Sequence, residues 1–85
     1  MGAVTFEIGD VVEVRHHPSA VWGGLRYRVT DTDYDLVHGV RVHNPHDPRP
    51  IINNVRIGEE IGFFRTRLVR VGRDGFGAWF KEHSS

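Results

Sequence analysis

The sequence predicts an all-β domain, a small antiparallel barrel of five or six strands with long loops. Three observations point to it. Short runs rich in β-branched residues recur along the chain, residues 25–30 alternate apolar with polar side chains, and no segment keeps a helical apolar period over three turns. A chain of 85 residues buries only roughly 60–65% of the surface it exposes when unfolded, so one thin core spanning residues 1–85 as a single domain is expected.

Residues 11–15, Val-Val-Glu-Val-Arg, follow Gly9-Asp10 and read as the first strand, with Val12 and Val14 on its one buried face. Phe6 and Ile8 share that parity and are expected to extend the buried row. Residues 16–24, His-His-Pro-Ser-Ala-Val-Trp-Gly-Gly, form a long loop punctuated by Pro18 and the Gly23-Gly24 pair. In the second strand Leu25, Tyr27 and Val29 look inward, while Arg26, Arg28 and Thr30 face solvent or a partner.

Asp31-Thr32-Asp33 is turn-like, and residues 34–42 read as the third strand, with Gly39 marking a bulge or sharp bend. Residues 43–50, His-Asn-Pro-His-Asp-Pro-Arg-Pro, form a stiff loop, because each proline lacks a backbone donor and biases its predecessor toward extended conformations. Residues 51–57 are expected as a fourth strand, 58–62 as a connection with one short helical turn, and 68–71 as a fifth strand. Residues 72–85 are expected as a hairpin carrying a sixth strand or as an exposed aromatic tail.

The run 6-FEIGDVVEV-14, the loop after it, 24-GLRYRVTDTD-33 and 63-FFRTRLVRV-71 resemble small Src-homology-3-like barrels. Residues 6–33 are similar in particular to KOW-type modules, whose first two strands read "GD.V.V" and then "G..G.V". The resemblance implies the barrel fold and a nucleic-acid or protein-binding role, although KOW modules carry glycine where this chain has Tyr27. The closing "RLVRV" pattern resembles small barrel proteins of bacteriophages and actinobacteria.

Composition narrows the function classes. Lys+Arg and Asp+Glu are both 11, so no net charge draws the chain to nucleic acid or anionic lipid, and such binding needs a local patch. Cysteine is absent, which removes disulfides and thiolate metal sites and fits a reducing compartment. The N-terminal residues lack a signal-peptide pattern, and no apolar run approaches the ~20 residues that cross a bilayer. A soluble, cytoplasmic protein is expected.

Candidate chemistry is sparse. His43 and His46, with His16, His17 or His38 as further ligands, are too loosely placed on loops to specify zinc, which needs three or four converging donors. Residues 31–35 begin like a calcium loop, but Leu36 stands where the turn glycine belongs and Val42 where the bidentate glutamate belongs. Serines occur only at positions 19, 84 and 85, no triad is evident, and no phosphate-binding glycine loop is present, so a non-enzyme without cofactor or metal is expected.

Recognition remains. Protein–protein contact or self-association is assigned to Trp22, His43, His46, Phe76, Trp79 and Phe80, since loop and tail aromatics make strong anchors. The alternative is nucleic-acid binding through Arg26, Arg28, Arg65, Arg67 and Arg70. No membrane partner and no small-molecule substrate are expected.

Overall fold

A computed structural model describes residues 5–73. Its strands are β1 (Asp10–Val14), β2 (Arg26–Asp33), β3 (Leu36–Val42), β4 (Ile51–Ile52), β5 (Val55–Arg56), β6 (Glu60–Phe64) and β7 (Leu68–Arg73), with one-turn 3-10 segments at Ala20–Trp22 and Arg65–Arg67. Every pairing is antiparallel. Five strands form a sheet in the order β6-β3-β2-β1-β7, and β4 pairs with β5 as a separate hairpin. No helix among the described residues is long and apolar enough to cross a membrane.

That order forces the sheet to curl. β6 and β7 occupy opposite edges, yet only Arg65, Thr66 and Arg67 separate Phe64 from Leu68. In a flat sheet the two edges would lie four strand spacings apart, roughly 19 Å. The chain from Phe64 to Leu68, even fully extended, reaches about 14 Å at most. The sheet therefore wraps around its inner face, and the inner-facing side chains of β1, β2, β3, β6 and β7 meet in one cluster.

That cluster holds Val12, Val14, Leu25, Tyr27, Val29, Val37, Phe63 and Leu68, closed off by Phe6 and Ile52. Tyr27 is fully buried, and its hydroxyl donates a 2.6 Å hydrogen bond to the carbonyl oxygen of Val37. Burial pushes the phenol pKa well above its ordinary value, even against a backbone hydrogen bond from Phe63 that favours the charged form. The Tyr27 ring is thus a core side chain.

Several elements differ from the sequence reading. β1 is buried on both faces, because Val11 and Glu13 are covered as well as Val12 and Val14. Cover comes in part from the 43–50 loop, whose buried Asn44 donates from Nδ2 to the Gly24 carbonyl at 2.8 Å and to Glu13 Oε1 at 3.4 Å. Phe6 is buried as expected but Ile8 is exposed, since Gly9 adopts a positive φ of 96° and the turn from Glu7 to Asp10 breaks the strand parity.

Asp31, Thr32 and Asp33 belong to β2 and make no turn there; the hairpin turns at Tyr34-Asp35, with Tyr34 in the left-handed region at φ 54°. The expected irregularity at Gly39 is present: the β2–β3 register shifts between Val29 and Asp31, which pair with Gly39 and His38. A Cβ on Gly39 would overlap the Arg28 carbonyl and the Tyr27 ring.

Residues 51–57 do not form one strand. Asn53 and Asn54 both take positive φ, 45° and 67°, as a tight two-residue hairpin requires, and split the segment into β4 and β5. Residues 60–62, expected as part of a connection, are strand, because cross-strand pairing with β3 overrides their weak local preference.

Candidate functional site

The β1–β2 loop folds Trp22 back onto the domain. The peptide nitrogens of Trp22 and Gly23 donate to the carbonyls of Ser19 and Ala20, and that of Leu25 donates to the Trp22 carbonyl, so the loop is internally tied around the indole. Trp22 packs against the core while remaining partly exposed. Its ring stands edge to face against Phe63, with centroids 5.1 Å apart, and His17 makes a second T-shaped contact with Phe63 at 5.6 Å. The peptide nitrogen of Ser19 donates to His17 Nδ1 at 2.9 Å, which orients the imidazole.

Phe63 and Phe64 are neighbours on β6, and strand alternation sends them to opposite sides. Phe63 is buried beneath Trp22, whereas Phe64 is 57% exposed. Between β6 and the β1–β2 loop lies an open groove of about 310 Å³, walled by His17, Trp22, Phe63 and Phe64 and bordered by Leu36 and Arg67. Arg67 brings a charge to this rim, and one of its nitrogens is held by the His16 carbonyl at 3.1 Å. The groove offers an aromatic wall, an exposed ring and one guanidinium.

A second cluster is electrostatic and structural. Glu13 accepts from Arg15 Nε at 2.6 Å and from Arg26 Nε at 2.8 Å. Burial raises the Glu13 pKa, but the hydrogen bonds and charges of Arg15 and Arg26 outweigh it and leave the carboxyl below its ordinary range. Arg41 is almost fully buried, and its guanidinium donates to the carbonyls of Arg49, Pro50 and Val55 at 2.6–3.0 Å. It thereby fastens the 43–50 loop and the β4–β5 hairpin to β3.

The structure separates the residues nominated from sequence. Trp22 lies in the groove. His43 and His46 are exposed on a loop that turns back on itself, with the Asp47 peptide nitrogen donating to the Asn44 carbonyl at 2.9 Å. Among the described residues no three His, Cys, Asp or Glu side chains converge as a metal site would need. Phe76, Trp79 and Phe80 lie outside the described residues.

The five arginines are engaged separately. Arg26 pairs with Glu13, Arg65 with Asp35 at 2.9 Å, and Arg70 with the buried Asp10 at 3.0 Å, while Arg67 reaches the groove. Arg28 stands on β2 opposite Val11. Sequence reasoning did not nominate Phe63, Phe64 or Leu36 for the site. The adjacent pair 63-Phe-Phe-64 was the available signal, because a strand must turn one of the two rings outward.

No family model matches the chain, no curated protein matches it, and no solved structure matches it.

Proposed function

We propose that the chain is a non-catalytic binding module, built as a small Src-homology-3-like barrel, that recognises a protein segment in the groove between β6 and the β1–β2 loop. Support for the barrel comes from the strand path: β1, β2 and β3 meander, β6 adds to the far edge, and a three-residue turn returns the chain to β7 beside β1. Support for recognition rests on one observation, the pairing of a partly exposed Trp22 and a 57% exposed Phe64 across a concave aromatic floor. Exposed aromatics around a concavity are what interface anchors look like.

The nucleic-acid alternative is weaker, because Arg26, Arg65 and Arg70 are each engaged by a carboxylate and so offer less charge to phosphate. Affinity capture from nuclease-treated host extract tests the reading. The full chain is expected to retain a protein that Phe64→Ala loses while keeping its circular dichroism and melting temperature. Equal capture by both chains, or loss of the captured material on nuclease treatment, would overturn it.

A further inference from the structure

We infer that the groove accepts its partner as an added β-strand: an extended peptide that pairs with the groove-side edge of β6 and places a carboxylate against Arg67. This rests on the reading of the groove as the recognition surface and names the kind of segment it takes.

The lining itself locates the groove at an edge. Ile61, Gly62, Phe63 and Phe64 all border it, and they are consecutive. Successive strand residues point to opposite faces, so a hollow lying over either face would touch only alternate ones. Space that touches four in a row runs alongside the strand. β6 pairs with β3 on its other side, and among the described residues no strand pairs with this edge.

Backbone hydrogen bonds then say which groups are open. The peptide nitrogen of Arg65 donates to the Asp35 carbonyl at 2.7 Å, and that of Arg41 donates to the Glu59 carbonyl at 2.9 Å. With Val37 opposite Phe63 and Gly39 opposite Ile61, the odd-numbered residues of β6 direct their N–H and C=O groups to β3. Gly62 and Phe64 therefore direct theirs into the groove, spaced as an incoming antiparallel or parallel strand needs.

Charge and shape select the peptide. Among the described residues Arg67 is the one arginine or lysine on the lining, no aspartate or glutamate lines the groove, and no carboxylate pairs with Arg67. Among the described residues it is the His16 carbonyl that engages the guanidinium, through one nitrogen, and a guanidinium carries five N–H donors. A carboxylate on the peptide completes that site. Trp22 and Phe63 receive an apolar side chain on one face of the added strand, and Phe64 shelters one on the other.

The probe is a phage-displayed library of random peptides selected on the full chain, followed by amide hydrogen exchange of the isotopically labelled protein with the soluble selected peptide. Expected are binders that alternate apolar and polar residues and carry Asp or Glu, slowed exchange at the Gly62 and Phe64 amides, and binding weakened about tenfold or more by Arg67→Gln. Binders that depend on Phe64 but leave those two amides unchanged, or that are proline-rich and lack alternation, would overturn the strand-addition inference and leave the groove as the recognition site. Absence of any binder sensitive to Phe64→Ala would overturn both. Concentration-dependent dimerisation with Gly62 and Phe64 protected would assign the edge to a second copy instead of a peptide.

Discussion

The indole of Trp22 stands edge-on over the ring of Phe63 at 5.1 Å, although the two are 41 positions apart in sequence. This contact gives Trp22 two roles at once, as a cover for the core and as a wall of the groove. Phe64, one residue further along β6, has only the second role.

Substitution separates the two. Trp22→Ala is expected to lower stability by about 2–4 kcal/mol, because a large partly buried aromatic and its ring contact are lost together. Phe64→Ala is expected to change stability by less than about 0.5 kcal/mol, as exposed positions usually do. Urea unfolding of both variants checks this, and a Phe64→Ala chain as unstable as Trp22→Ala would place Phe64 in the core.

Arg41 holds three backbone carbonyls from residues 49–55 with a buried guanidinium. Arg41→Met removes the donors and leaves those carbonyls to find water or remain unpaired, at about 1–3 kcal/mol for each one left buried. Loss is expected to be local first. Amide exchange should quicken at Ile52 and Val55 in the β4–β5 hairpin before it quickens at Val12 in β1, and uniform acceleration across the domain would refute the local assignment.

Gly39 and Gly72 make a controlled pair. A Cβ at Gly39 would overlap the Arg28 carbonyl and the Tyr27 ring, whereas at Gly72 nothing among the described residues lies within 4 Å. Gly39→Ala is expected to destabilise the chain by about 3 kcal/mol or more, since backbone and a core ring must both move. Gly72→Ala should be tolerated, with a melting temperature close to that of the parent chain.

Acid should weaken the fold through two carboxylates. Hydrogen bonds from Arg49 lower Asp47 from 3.8 to about 2, against a smaller opposing effect of burial. Glu13 also lies below its ordinary 4.5, where burial works to raise it and Arg15 and Arg26 prevail. A carboxyl depressed in the folded state stabilises the fold above its unfolded pKa, and that contribution disappears as pH falls through the folded value. The melting temperature should therefore hold from about pH 7 to 5 and drop below about pH 4. Asp47 and Arg49 are near the surface and contribute little of this. Glu13→Gln is expected to lower the melting temperature at neutral pH and to narrow the neutral-to-acid difference, and an unchanged difference would remove Glu13 as the source.

Local alternation made much of the sheet legible. Leu25, Tyr27 and Val29 are buried as their spacing requires, Val12 and Val14 share the core, and Gly39 sits at the irregularity expected of it. Such features depend on side-chain parity and on backbone sterics within a few residues, both of which are written in the order of amino acids. The long loop after β1 and the break between residues 43 and 50 follow from Pro and Gly in the same way.

Tertiary contacts decided the rest. Nothing near Arg41 in sequence announces that it will be buried under carbonyls 8–14 positions away, and nothing near Glu13 predicts Asn44 beside it. Residues 60–62 became an edge strand because β3 was there to pair with them, and Phe63 meets Trp22 and His17 across a long stretch of chain, on the inner side of a curled sheet. Parity tells a side chain which face it occupies. Which loop lies over that face, and which strand edge is left open, depends on long-range closure that no local pattern contains.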